Sequence, residues 1–125
     1  MRMSGGPRHV RALLRQLRVR PSSMTESAVI APVGELDVDS IRALAQQLDE
    51  AVAADYPRLI LDLSAVTLVD SSAFGAIMQT QHRFNGQGRT LAVVAPHGSA
   101  AAVILELTGL RSRFSVFLSR AAALA

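Results

Sequence analysis

Short hydrophobic runs alternate with segments of helical periodicity from Ser27 to the end of the chain. Runs bounded by Pro, Gly or Asp are typical of buried strands, and hydrophobic residues every three to four positions are typical of amphipathic helices. The pattern predicts strands over residues 28–33, 58–63, 67–69, 90–95 and 115–118. It predicts helices over residues 40–54, 72–84 and 99–107, and a helical start after residue 118. This alternation indicates parallel pairing through right-handed crossovers, with residues 58–63 and 90–95 as adjacent central strands.

Residues 10–20 fit two interpretations. Hydrophobic residues at positions 10, 13, 14 and 17 have helical spacing. Leu17 and Val19 ahead of Pro21 instead suit a strand that turns back along residues 28–33. The pattern alone favours the helix, and both interpretations stay open at this point.

Positive charge is concentrated at the amino-terminal end. All 13 basic residues are Arg, and six of them lie in the first 20 positions. The chain from Pro21 onward contains seven Arg and all ten acidic residues, so its formal net charge is −3 (7 − 10). The net charge of +3 for the whole 125-residue chain therefore arises from its amino-terminal end. We expect a basic tail over residues 1–9 and a single domain over residues 10–125, whose last helix could be truncated. Met24 is an alternative start.

Composition removes several classes of function. The absence of Cys excludes disulfides, thiol nucleophiles and cysteine zinc sites, and is compatible with the cytoplasmic location that we expect. No hydrophobic run reaches the roughly 20 residues of a membrane-spanning helix, so no membrane contact is expected. A single Tyr and no Trp offer little stacking on bases, which argues against direct nucleic-acid binding. Asp49, Glu50 and Asp62 lack convergent ligand spacing, so we expect no metal and no cofactor.

A hydrolase would take Ser71 or Ser72 as its nucleophile. The candidate bases would be His82 and His97. The chain has no Gly-x-Ser-x-Gly elbow and no residue placed as an oxyanion donor. The absence of Lys argues against a phospho-aspartate receiver at Asp70 and against a phosphate-binding loop. We therefore expect no enzymatic activity and no catalytic residues.

The segment Asp70, Ser71, Ser72 is unusual, because an acid and two hydroxyls stand where an extended segment gives way to a helix. One interpretation is a helix cap, in which Asp or Ser accepts hydrogen bonds from free backbone N–H groups and stabilises the helix by about 1 kcal/mol. The other is a modification site, since a phosphate there would lie at the positive end of the helix dipole.

The predicted helix over residues 72–84 has two faces when it is projected at about 100° per residue. The bulkier face consists of Ala73, Phe74, Ile77, Thr80, Gln81 and Phe84. The opposite face consists of Ser72, Gly75, Ala76, Gln79 and Arg83. Its first residues are small and would let a partner's backbone approach closely, so we expect Gly75, Ala76 and Gln79 to bind a partner. A charge of about −1.5 to −2 on Ser71 would oppose that contact.

Three motifs occur in order and at fitting spacing within about residues 27–118. They are LILDLSAVTLVDSSAFGAI over residues 59–77, GELD over 34–37 and LTGL over 107–110. The first resembles the Asp-Ser-Ser/Thr-Gly-Leu-Gly signature of the anti-sigma factor antagonists, the bacterial STAS domains. The second resembles their turn between the second strand and the first helix, and the third resembles the end of their third helix.

The resemblance implies an α/β fold with a mixed sheet of four to five strands, helices mainly on one face, and an antiparallel first strand supplied by residues 11–19. It also implies a switch in which the unphosphorylated protein, a monomer or weak dimer, binds an anti-sigma factor of the histidine-kinase-like ATPase type and releases a sigma factor. That partner would phosphorylate Ser71, and a phosphatase would reverse the modification. Asp70, Ser72 and Asp37 match the supporting positions.

Two residues depart from the family pattern. Ala73 stands where the family usually has Gly, and Phe74 where it usually has Leu. The methyl of Ala73 lies close to the acceptor and could alter which kinase fits. STAS domains also serve as unphosphorylated accessory subunits of lipid-transport or sensory assemblies, which is the alternative function. The presence of both Ser71 and Ser72 favours the switch.

Overall fold

The computed structural model of the protein describes residues 12–13, 16–19, 27–54 and 56–125. Its strands are β1 (Ala12–Leu13), β2 (Gln16–Val19), β3 (Ser27–Ile30), β4 (Val33–Leu36), β5 (Arg58–Asp62), β6 (Val66–Val69), β7 (Thr90–Val94) and β8 (Ser115–Phe117). Its α-helices are α1 (Val38–Ala53), α2 (Ser72–Gly86), α3 (Ala100–Thr108) and α4 (Arg120–Leu124), with a 3-10 helix at Leu110–Arg113. The predicted basic tail and the alternative start lie outside the described residues.

The larger sheet has five strands in the order β2-β3-β5-β7-β8. Strands β3, β5, β7 and β8 are parallel, and β5 and β7 pair at the centre from Arg58 opposite Thr90 to Asp62 opposite Val94. This confirms the predicted central pair. Strand β2 is antiparallel to β3 at the edge, with Gln16 opposite Ile30. The strand interpretation of this segment is therefore confirmed, and the helix favoured by its hydrophobic spacing is wrong for residues 16–19.

A smaller sheet has the order β1-β4-β6, and it corrects two predictions. Residues 28–33 do not form one strand, because the chain leaves β3 after Ile30 and pairs differently from Val33. Pro32 stands between the two strands, where its missing N–H removes no ladder hydrogen bond. GELD is not a turn, since its first three residues lie in β4. The pairing shifts register at Gly34, whose φ of 99° favours glycine.

Three helices cover one face of the larger sheet and one covers the other. The main core packs Leu44 and Leu48 of α1, Phe74 and Ile77 of α2, and Leu105 of α3 against that sheet. A smaller cluster lies on the opposite face under α4; it consists of Val29, Ile60, Ala92, Val94 and Ala123, with Phe117 and Leu124 packed beside it. The predicted arrangement, with helices mainly on one face, is confirmed.

Helix α3 leaves two large hydrophobic side chains exposed. Val103 and Leu107 share a side of the helix but are 45% and 78% exposed. The core instead receives Ala101, Ala102 and Leu105, since close packing against the sheet admits the small side chains there. Gly109 ends the helix in the left-handed conformation, with φ 71°, which favours glycine.

Candidate functional site: the start of helix α2

Two aspartates lie directly after the carboxyl ends of two neighbouring parallel strands of the smaller sheet. Strands β4 and β6 pair with Leu36 opposite Val69, so Asp37 and Asp70 follow the two strand ends side by side. The backbone N–H of Asp70 donates to the carbonyl oxygen of Leu36 at 2.8 Å. Helices α1 and α2 therefore begin next to each other, each immediately beyond its aspartate.

Asp37 caps helix α1. Its Oδ1 accepts hydrogen bonds from the N–H of Asp39 at 3.1 Å and of Ser40 at 3.0 Å. The N–H of Asp37 in turn donates to Ser40 Oγ at 2.9 Å, which completes a reciprocal capping box. Asp37, which the resemblance places in support of the phosphosite, thus has a structural task of its own in fixing the start of α1.

The side chain of Asp70 caps helix α2, although Ser71 occupies the N-cap position. Asp70 Oδ1 accepts from the N–H of Ser72 at 3.0 Å and from Ser72 Oγ at 3.1 Å. Ser71 has helical backbone angles, is exposed, and makes no capping hydrogen bond with its side chain. The cap interpretation is therefore confirmed for the side chains of Asp70 and Ser72, and the hydroxyl of Ser71 is presented to solvent. Modification of Ser71 stays a prediction.

The two predicted faces of helix α2 are confirmed. Ala73, Phe74, Ile77, Thr80 and Phe84 are buried, and Gln81 is half-buried. On the other side Gly75 and Gln79 are exposed and Ala76 is half-buried. A Cβ added to Gly75 would meet nothing within 4 Å, so packing inside the described part of the protein does not require glycine there.

Helix α1 continues this surface. Arg83 Nη1 lies 2.6 Å from Asp49 Oδ1, and each of these residues is the twelfth of its helix. The two helices therefore run side by side in the same direction from the same sheet edge. Val38, the first residue of α1, is 71% exposed, and α1 begins next to the start of α2. The sequence analysis missed it because the helix was expected to begin at residue 40.

Asp62, weighed and rejected as a metal ligand, ends strand β5 in a buried position. It accepts hydrogen bonds from the N–H and Oγ of Ser64 and from Arg120 Nε, the last at 2.9 Å. Burial by itself raises the pKa of Asp62, but the Ser64 hydrogen bonds and the charge of Arg120 outweigh it and hold the pKa below its ordinary value. Within the described residues no group of His, Asp and Glu could hold a metal ion.

The remaining residues weighed from the sequence do not gather around Ser71. His82 is exposed on helix α2, and His97 is exposed in the turn after β7. Over the residues that the structure describes, the helices are too short or too polar to cross a bilayer.

Comparison with known proteins gives a consistent result. The STAS domain family model matches residues 12–123 of the chain. A relative from Mycobacterium tuberculosis, the anti-sigma-F factor antagonist RsfB, is 33% identical over 90 residues, which cover 72% of each chain.

Solved structures resemble the whole fold. An anti-sigma factor antagonist from Mycobacterium paratuberculosis has 28% identity and a TM-score of 0.76, with 90% of this chain and 92% of that one covered. The anti-sigma factor antagonist SpoIIAA of Bacillus, in its unphosphorylated form, has 15% identity and a TM-score of 0.67, with 90% and 93% covered. A structure of the phosphorylated form of SpoIIAA has a TM-score of 0.63, at 14% identity with 90% and 96% covered. At these identities the SpoIIAA structures show the shared fold alone.

Proposed function

The chain belongs to the STAS domain family, and we propose that it is an anti-sigma factor antagonist controlled by phosphorylation of Ser71. The family match and the similarity to two mycobacterial antagonists support the anti-sigma factor as its partner. In its unmodified state the protein would bind the anti-sigma factor and release the sigma factor. The partner would be of the histidine-kinase-like ATPase type.

The observation that carries the proposal is the division of tasks at the start of α2. The cap is complete without the hydroxyl of Ser71, which is exposed. A kinase can therefore reach this oxygen without breaking a hydrogen bond that holds the helix. Ser71 Oγ would attack the γ-phosphorus of ATP, ADP would leave, and the hydroxyl proton would pass to a base of the kinase. A phosphatase would return the serine by hydrolysis of the phosphate ester.

The charge of the phosphate would act on the partner and not on the fold. At a helix N-terminus a dianion is stabilised by the free N–H groups and the helix dipole. Across an interface the same charge, next to the carboxylate of Asp70, must lose water without gaining a matched partner. Like-charge contacts of this kind cost several kcal/mol, so we expect at least about a hundredfold loss of affinity.

The proposed contact surface consists of Gly75, Ala76 and Gln79 of α2 with Val38 of α1. A glycine inside a helix costs roughly 0.5–1 kcal/mol relative to alanine. At Gly75 no packing constraint in the described structure accounts for that cost. Close approach of a partner's backbone does account for it, as only a residue without a Cβ leaves that space open.

The proposal is tested by titrating unmodified and Ser71-phosphorylated protein against one kinase-type anti-sigma factor, with isothermal calorimetry as the readout. We expect the phosphorylated protein to bind at least about a hundredfold more weakly. Ser71→Ala should bind like the unmodified protein, and Ser71→Glu should weaken binding less than phosphate, as it adds one charge and no tetrahedral group.

Equal affinities of the two forms would remove Ser71 as the switch and leave the accessory-subunit function. Gly75→Ala tests the contact surface separately, with Gly86→Ala as its matched control. Gly86 is a second helical glycine with nothing within 4 Å of an added Cβ, and it ends the same helix. We expect weaker binding for Gly75→Ala and unchanged binding for Gly86→Ala.

A further inference from the structure

A cavity of about 350 Å³ lies on the larger sheet, at the beginning of its parallel strands. It is lined by Arg58, Thr90, Leu91, Ala92, Ser115 and Phe117. Arg58 pairs with Thr90 and Ala92 pairs with Ser115, so β5, β7 and β8 each contribute from their first residues. Ser71 follows the carboxyl end of β6, and the cavity is therefore separate from the candidate site already described.

Arg58 supplies the positive charge of the cavity. Its side chain is half-buried, and within the part of the chain that the structure describes it has no hydrogen-bond or ion-pair partner. Two other arginines near the larger sheet have such partners: Arg89 donates to four backbone carbonyls, and Arg120 pairs with Asp62. Arg58 thus retains its planar set of donors for a ligand.

The other residues that line the cavity indicate which kind of ligand Arg58 would bind. Thr90 and Ser115 are exposed and add two hydroxyl groups at the rim. Ala92 is 3% exposed and forms part of the apolar surface beneath, and Phe117 adds an aromatic ring. One guanidinium binds a carboxylate through two parallel hydrogen bonds, and a single positive charge matches a single negative one. Apolar side chains with a few convergent polar groups are typical of small-molecule sites, and the volume falls within their range.

We propose that this cavity binds a small organic monocarboxylate whose body is aromatic or a short aliphatic chain. The carboxylate would pair with Arg58 and accept from Thr90 and Ser115, and the apolar body would cover Ala92 and contact Phe117. A phosphate dianion matches the cavity less well, because one of its two charges would have no counter-charge among the lining residues.

The test uses 2-naphthoate as the probe and follows the ¹⁵N-labelled protein by two-dimensional NMR. We expect the amide signals of Thr90, Ala92, Ser115 and Phe117 to shift, with those of Ser71 unmoved. The neutral 2-naphthalenemethanol, which has the same rings, should bind at least tenfold more weakly. Arg58→Gln should weaken naphthoate binding at least tenfold, whereas Arg42→Gln, at an exposed arginine of α1, should leave it within twofold.

Ser115→Val keeps the charge and suits a strand, and it should weaken naphthoate binding about threefold. Ser71→Ala should bind naphthoate like the unaltered protein, so the cavity and the switch can fail independently. The proposal is overturned if the alcohol binds as well as naphthoate, if Arg58→Gln has no effect, if the shifts map elsewhere, or if millimolar naphthoate moves no signal.

Discussion

Helices α1 and α2 start side by side and each follows an aspartate, yet their serines have different surroundings. Ser40 is half-buried, and its hydroxyl accepts from the N–H of Asp37 while donating to the carbonyl oxygen of Glu35 at 2.8 Å. Ser71 is exposed, and its side chain makes no hydrogen bond to the cap of α2. The two helix starts resemble each other in sequence but differ in which hydroxyl is free.

The difference shows how a helix start can be capped while one of its hydroxyl groups makes no capping hydrogen bond. At α1 the aspartate and a serine three residues later satisfy each other, so the serine cannot be altered without loss of stability. At α2 the aspartate is satisfied two residues later, by Ser72, and the serine between them is left out. A hydroxyl that the cap does not use can change its charge at little cost to the fold.

The largest effect expected from this comparison concerns phosphate transfer. Incubation with a kinase-type anti-sigma factor and ATP should place phosphate on the unaltered protein and on Ser40→Ala, but Ser71→Ala should take up none. The measurement is intact-protein mass spectrometry followed by peptide mapping. Phosphate found on Ser72 or Ser40 would contradict the assignment of the acceptor.

A third aspartate at a strand end extends the comparison to a buried carboxylate with a charged partner. Asp62→Asn should lower the free energy of unfolding by about 2 kcal/mol at pH 7, because Arg120 and Ser64 lose their charged acceptor. Asp49→Asn, in the exposed pair with Arg83, should cost less than about 0.5 kcal/mol.

Asp62 also makes the free energy of unfolding depend on pH. Since its pKa is lowered in the folded protein, its contribution is present above the unfolded-state pKa of about 4 and is lost as pH falls through the folded-state value. Urea unfolding should show the difference between the unaltered protein and Asp62→Asn shrinking from pH 7 to pH 3. A constant difference would argue against the lowered pKa.

Removal of each cap should sharpen the contrast between the two helix starts. Asp37→Ala should lower the free energy of unfolding by about 1.5 kcal/mol, because the backbone N–H groups of Asp39 and Ser40 and the hydroxyl of Ser40 lose the carboxylate oxygen that accepts from them. Asp70→Ala should cost about 1 kcal/mol, since one backbone N–H is affected. Denaturant titration measures both, and a larger cost at Asp70 would reverse this ranking.

The smallest effect that we expect is an increase in stability. Gly75→Ala should raise the free energy of unfolding by about 0.5–1 kcal/mol, because the added methyl meets open space and alanine favours the helix. Thermal unfolding should show a higher melting temperature. A loss of stability would mean that the glycine is needed by the fold, and the argument for a contact surface at Gly75 would fail.

The amino-acid sequence predicted the two faces of α2 and, apart from the division of residues 28–36 into β3 and β4, the order of strands and helices from residue 27 onward. These features are local, because each depends on the spacing of hydrophobic residues within one element. The sequence also singled out Asp70 and Ser71, since caps and strand ends leave short polar signatures, and the family resemblance added Asp37. It could not assign the capping bonds, because Asp70 and both serines are all suitable acceptors at that position.

Contacts between segments distant in the sequence determined the features that the sequence did not predict. Residues 16–19 have a helical pattern, yet they form a strand because the edge of β3 offers backbone partners that their own sequence does not reveal. The partners Asp62 and Arg120 lie 58 positions apart. The grouping of Arg58, Thr90 and Ser115 around one cavity follows from strand register. Register is a relation between distant segments, and periodicity within a single segment carries no information about it.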